Sequence, residues 1–134
     1  MKQIIDVEPS EAKEWLNTHS DWEFNGEVNK ISHKKLTELV NDLYKAGCDK
    51  VFVSEYEREI EPVYEGEEFL PDMLIVKLPS DISQRQIVFG IANNNLPELK
   101  RHTYEDTGQN SLWYFFEPET HHITVGKKKI TWYS

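Results

Sequence analysis

The stretch Asp72-Met73-Leu74-Ile75-Val76-Lys77-Leu78-Pro79-Ser80 decides how this chain is read. Five of the six residues from Met73 to Leu78 are apolar, without helical spacing, and a proline follows at once. A short continuous apolar run closed by a breaker reads as a strand buried on both faces. Such a strand needs other elements above and below it, so the flanking sequence is read for those layers.

Upstream, Val51-Phe52-Val53 is β-branched and aromatic, the composition of a second strand running to about Tyr56. Ahead of it Leu36, Leu39, Val40, Leu43, Tyr44 and Ala46 recur at three- and four-residue steps, the clearest helical face in the chain. Ser32 stands at its N-cap and Gly47 where a left-handed C-cap belongs. Earlier still, Trp22 to Ile31 alternates apolar and polar, which predicts a strand, with Gly26 marking a bulge or a close backbone approach. Pro9 opens a short helix over 9–19, with Ala12, Trp15 and Leu16 on one stripe.

Downstream, Ser80 and Asp81 can cap a second long helix with Ile87, Val88, Ile91, Ala92 and Leu96 inward, worn out by Asn93-Asn94-Asn95 and Pro97. Ser111-Leu112-Trp113-Tyr114-Phe115-Phe116 reads as a further strand. His122 to Val125 and Lys128 to Tyr133 flank Gly126-Lys127, a glycine-first hairpin turn. The segment 21–117 thus reads strand–helix–strand–strand–helix–strand. That order predicts an α+β fold with a ferredoxin-like βαββαβ core, an antiparallel sheet with two helices on one face. The helix 9–19 and the hairpin 121–134 are additions, and the whole reads as one domain, 1–134. The second face of the sheet then needs a cover: the N-terminal helix, the hairpin or a second copy of the chain.

The 134 residues suffice for one core, and 38% hydrophobic with 12% aromatic content supports folding. No apolar run approaches the roughly 18–20 residues that span a bilayer, and the start lacks the apolar centre of a signal peptide. Cys48 is the single cysteine, so a reducing cytoplasm is the expected setting and an inert buried thiol the expected role. Charge is the most informative compositional fact. Residues 1–72 hold 18 Asp and Glu against 8 Lys and Arg, whereas residues 73–134 hold 6 against 7. A surface this acidic repels phosphate backbones, which disfavours nucleic acid and anionic membranes and favours a protein partner with a basic surface.

Between the strands at 51–56 and 73–78 lies a long acidic segment, with a loop at 57–71. Glu55, Glu57, Glu59, Glu61, Glu65, Glu67 and Glu68 accompany one arginine, Arg58. If extended, the first four glutamates line one face. Long connections of this kind are commonly functional, so these glutamates with Tyr56 and Tyr64 as aromatic anchors form the candidate partner-binding set. No glycine-rich phosphate loop, Gly-x-Ser-x-Gly elbow, His-Glu-x-x-His pair or Cys-x-x-Cys occurs. His121-His122 cannot chelate one ion from neighbouring strand positions, so no metal and no cofactor is expected. Lys127-Lys128-Lys129 reads as edge protection of the hairpin.

The sequence therefore predicts a non-catalytic acidic binding module, of inhibitor or immunity type, covering a basic protein surface. The alternative is a small-ligand sensor or enzyme with a pocket between the sheet and the 102–110 loop, using Arg85, His102, Tyr104, Glu105 and Asp106. A third reading is a self-associating domain with a homodimer seam along the aromatic strand and Trp132-Tyr133.

Overall fold

The computed structural model describes residues 2–100, 102–118 and 120–133. The chain opens with β1 (Ile4–Ile5), β2 (Ser10–Glu11) and helix α1 (Ala12–Thr18). The helix starts later than Pro9 suggests, because Glu11 takes the N-cap. Its carboxylate accepts from the amides of Lys13 (3.1 Å) and Glu14 (2.8 Å), leaving Ser10–Glu11 extended for sheet pairing.

The stretch expected as one strand folds back on itself as a hairpin, β3 (Glu23–Asn25) and β4 (Lys30–Ser32), with Phe24 opposite Ile31. Asn25-Gly26 is a turn-forming pair, and a distant residue fixes the turn. The amide of Val28 donates to Glu117 Oε1, and Asn29 Nδ2 donates to the Phe116 carbonyl at 2.8 Å. Gly26 is a close approach, since a Cβ there would collide with the Glu117 carboxylate.

Helix α2 (His33–Lys45) is capped by Ser32 Oγ, which accepts from Lys35 N at 3.1 Å, and buries Leu36, Leu39, Val40 and Leu43. Gly47, at φ +106°, ends it: its amide donates to the Tyr44 carbonyl and that of Cys48 to the Leu43 carbonyl, the two bonds of a Schellman motif. Next come β5 (Lys50–Ser54), a helical turn α3 (Tyr56–Ile60), β6 (Val63–Tyr64) and the organising strand β7 (Met73–Lys77). Asp81 caps α4 (Ile82–Asn94) through Gln84 N at 3.0 Å. Its inward face is Val88, Phe89 and Ala92; Phe89 takes the place expected of Ile87, which is 55% exposed. β8 (Ser111–Phe115) and the hairpin β9 (Thr120–Val125) and β10 (Lys128–Tyr133) complete the described chain.

The central sheet has the order β2-β5-β7-β8, every neighbouring pair antiparallel. This corrects the expected topology. In a ferredoxin-like order the 22–31 strand would separate the third and fourth strands. Instead β7 and β8 are direct neighbours, Ile75 opposite Trp113, and the β3–β4 hairpin stands outside the sheet. Its turn shortens each arm to three residues, too little to serve as a central strand. The architecture is α+β, with four helices and several small antiparallel sheets among the described residues.

Cross-strand register sorts the sheet into two faces. Val51-Val76-Leu112 and Val53-Leu74-Tyr114 form rows that pack on α1, α2 and α4 through Leu16, Leu36, Val40, Leu43, Val88 and Ala92. Phe52-Ile75-Trp113 and Ser54-Met73-Phe115 form rows on the reverse face. Met73, Leu74, Ile75 and Val76 are all buried, each contributing about 1.5–3 kcal/mol relative to exposure. The reverse face is covered in part by the acidic segment, whose Tyr56 ring stands edge-on to Trp113 (6.1 Å) and Phe115 (5.6 Å). The N-terminal helix is not that cover, because α1 packs with α2 and β5 on the first face.

Candidate functional site

The acidic segment is built rather than extended. Helical φ and ψ over Tyr56–Ile60 spread Glu55, Glu57, Glu59 and Glu61 around a turn, which corrects the expectation that they line one face. Arg58 is the knot. Its Nε donates to the Glu55 carboxylate, its Nη2 to the carbonyls of Glu67 (3.2 Å) and Glu68 (3.1 Å), and its guanidinium lies over the Phe69 ring at 5.2 Å. Asp72 Oδ1 accepts from Tyr56 N at 2.9 Å and holds the start of the turn. Further along, β6 pairs with β1, Ile5 opposite Val63, and Glu65 N donates to the Gln3 carbonyl at 2.7 Å.

Between this segment and the β3–β4 hairpin lies a cleft of about 580 Å³. Trp22, Phe24, Leu70, Pro71 and Phe115 supply its apolar lining. Glu23, Glu27, Glu55, Glu57, Asp72 and Glu117 supply six carboxylates, and no Lys, Arg or His lies among the described lining residues. Four of the six are engaged: Glu23 with Asn25 Nδ2 (3.1 Å), Glu55 with Arg58, Asp72 with Tyr56 N, and Glu117 with the turn amides of Val28 and Asn29. Glu23, Glu27 and Glu57 are exposed. Burial, followed by the negative charges of Glu55 and Glu57, raises the Asp72 carboxyl above its usual range, against the lowering effect of the Tyr56 amide. Potential of one sign over low-dielectric aromatic walls attracts and concentrates cations, and the faces of Trp and Phe add their own affinity for a cationic head.

Of the residues singled out from sequence, Glu55 and Glu57 line this cleft. Glu59 instead accepts from Ser54 Oγ at 2.6 Å and borders a smaller hollow of about 330 Å³ with Trp15, His19, Arg58 and Phe69. Trp15 is a packing anchor there, stacked on His19 (4.1 Å) and edge-on to Trp22 and Phe69. Glu61, Tyr64 and Glu67 border a hollow of about 100 Å³ on the far side of Arg58, and Glu65 and Glu68 are exposed. Sequence reasoning missed Trp22, Glu23, Phe24, Glu27, Asp72, Phe115 and Glu117. The readable signals were the Asn25-Gly26 turn and an aspartate placed directly before the most buried strand.

The second candidate set performs a fastening task. Arg85 forms a two-pronged ion pair with Asp106 and donates to the carbonyls of Pro79 (3.2 Å) and Gln109 (3.0 Å), clamping the 102–110 loop to α4. Its partnership holds the Asp106 carboxyl down at about 2, chiefly through the Arg85 hydrogen bond. Tyr104 N donates to Asn93 Oδ1 at 2.7 Å, and Phe115 N donates to the Tyr104 hydroxyl at 3.0 Å. His102 and Glu105 are exposed. Cys48 is buried, its thiol pushed up to about 11 by burial, as suits an unreactive core residue. The side chains of His121 and His122 lie outside the described residues. Among the described residues no group of three or more His, Cys, Asp or Glu is placed to hold a metal ion, and no helix is long and apolar enough to cross a membrane.

Comparison with protein-family models, with curated proteins and with solved structures finds no match to this chain.

Proposed function

We propose that this chain is a binding module, of inhibitor or immunity type, that seats a cationic segment of a partner protein in the cleft between the β3–β4 hairpin and the acidic segment. The observation that carries the reading is six carboxylates over an aromatic floor with no cation among the described lining residues. A lysine or arginine entering there would gain opposite charge and a ring face together. It would also relieve the repulsion that raises Asp72. The wider acidic surface of Glu61, Glu65, Glu67 and Glu68 would steer approach more than it holds the complex. This is a refinement of the sequence-based set: Glu55 and Glu57 remain, and Glu23, Glu27 and Asp72 join them.

The test is calorimetric titration with an octapeptide of alternating lysine and arginine, against its glutamate counterpart. Binding of the cationic peptide alone is expected, weakened on the order of tenfold between low and physiological salt. Glu23→Lys combined with Glu57→Lys should abolish it, since both carboxylates are exposed and the one bond given up, from Asn25 Nδ2 to Glu23, is itself on the surface. Unchanged affinity in that variant would overturn the assignment.

A further inference from the structure

We infer that the cationic segment the cleft receives is the C-terminal hairpin of a second copy of this chain, exchanged reciprocally. The inference rests on the cleft reading above and names its partner.

Register places Ile123, Val125, Lys128, Ile130 and Trp132 on one face of the β9–β10 ladder. Four of them are apolar and exposed: Ile123 47%, Val125 61%, Ile130 40% and Trp132 37%. None belongs to the core described above. A two-stranded ribbon alone is marginal in water, and an apolar face of this kind marks an interaction surface. The tip carries Lys127, Lys128 and Lys129, and residues 120–134 contain no Asp or Glu. Among the described residues, Lys127, Lys128 and Lys129 are in no ion pair, and no cation lines the anionic cleft.

Among the described residues, none of the hairpin lines the cleft of its own copy. The ribbon follows closely on Glu117, which itself lines the cleft. A ladder of six-residue strands carries its tip about 17–20 Å from that root. A two-fold axis solves the geometry, because every copy owns one tip and one cleft, and two identical contacts close without leaving an open end. Val125 and Ile123 would then cover the floor at Phe24, Leu70 and Phe115, with the lysine heads among the carboxylates. A ladder face about 20 Å by 10 Å, counted for two hairpins and two clefts, hides about 800 Å². That is below the roughly 1,200 Å² at which stable interfaces begin, so the dimer is a weak, transient one, with Kd on the order of tens of micromolar, and sensitive to salt.

Sedimentation velocity on the full chain, from about 5 to 200 µM at low and high salt, tests the exchange, with the concentration range set by the expected affinity. The wild type should dimerise, with Kd rising on the order of tenfold or more in high salt. Reversing the tip (Lys127→Glu, Lys128→Glu, Lys129→Glu) or the cleft (Glu23→Lys, Glu57→Lys) should each give a monomer. Both sets in one chain should restore the dimer, because the swapped charges meet again across the two-fold. A wild type that stays monomeric, a dimer indifferent to the tip reversal, or no restoration in the combined variant overturns the inference. The cationic octapeptide separates the two levels. If it binds a wild type that never dimerises, the cleft reading stands and the self-partner falls. If it fails to bind and fails to disperse the dimer, the cleft reading itself falls.

Discussion

Tyr44→Phe probes the joint that ties the N-terminal segment to the sheet. The Tyr44 hydroxyl donates to Glu11 Oε1 at 2.6 Å and accepts from Val51 N at 3.1 Å, while Glu11 also caps α1. Removing one oxygen loses a bond to a charged acceptor, worth about 1.5–3 kcal/mol, and orphans the amide of fully buried Val51, which costs about 1–3 kcal/mol. Tyr44 and Glu11 are only partly buried, so water reaches the joint and the lower part of the combined range applies, about 2.5–3 kcal/mol. An unfolding entropy of about 2.1 cal/mol/K per residue gives about 0.28 kcal/mol/K for this chain, hence a Tm loss of about 9–11 °C by calorimetry. The pH dependence is a second reading of the same joint. Burial alone would raise the Glu11 carboxyl, but the Tyr44 hydroxyl and the amides of Glu14 and Lys13 outweigh it and bring it below its usual value. A depressed folded value means the stabilisation is present above the unfolded value of about 4.3 and lost as pH falls through the folded one. The gap between wild type and Tyr44→Phe should therefore narrow below about pH 4. At the alkaline end the Tyr44 hydroxyl is pushed up to about 12, first by burial and then by Glu11, so its contribution persists past about pH 10 and is lost as pH rises through about 12. Half-exposed Tyr64 is the control, and Tyr64→Phe should move Tm by less than about 2 °C. A Tyr44→Phe loss under about 2 °C, or a gap unchanged to pH 2, would refute the coupling.

Asp72→Asn keeps the acceptor for Tyr56 N and removes a charge that burial and its neighbours disfavour. Its raised folded value means the ionised form costs stability at neutral pH, so the variant should melt higher at pH 7. The gain should fade as pH falls through the Asp72 titration. The same change should weaken binding of the cationic octapeptide by up to about fivefold, and a lower Tm with tighter binding would sink the account. Gly47→Ala meets both a left-handed φ of +106° and the Gln84 side chain, 2.6 Å from the new Cβ. Its cost should be about 1–2 kcal/mol in denaturant unfolding. Gly66→Ala, at φ +85° with open space, carries the strain alone and should cost less; equal losses would remove Gln84 from the explanation.

The elements legible in the sequence are those whose cause is local. The apolar run at 73–78, the α2 stripe with Ser32 and Gly47 at its ends, and the Gly126 hairpin each carry their own signal within a few residues. What stayed hidden depends on contacts between distant positions. Gly26 was readable as a bulge or a close approach, and the structure shows the approach. That it ends a strand follows from Glu117, 89 positions beyond the Val28 amide it accepts from. Strand order was hidden for the same reason, since a four-strand pattern does not say which pairs are neighbours. In the site, Glu55 and Glu57 could be named because they are part of a conspicuous acidic run. Trp22, Glu23, Asp72 and Glu117 belong to no run, and only the hairpin and β7 bring them together. Arg58 was visible as the one cation among seven glutamates, but its part in shaping the segment was not.

The pairing of Ile4–Ile5 with Val63–Tyr64 puts the posture of the acidic arm under the control of the chain's first few residues. Cutting the chain just ahead of Asp6 removes the splint from a limb some sixty positions away. A substitution at Ile4 or Ile5 acts on the same splint, so its effect belongs to the arm and not to the place where it is made.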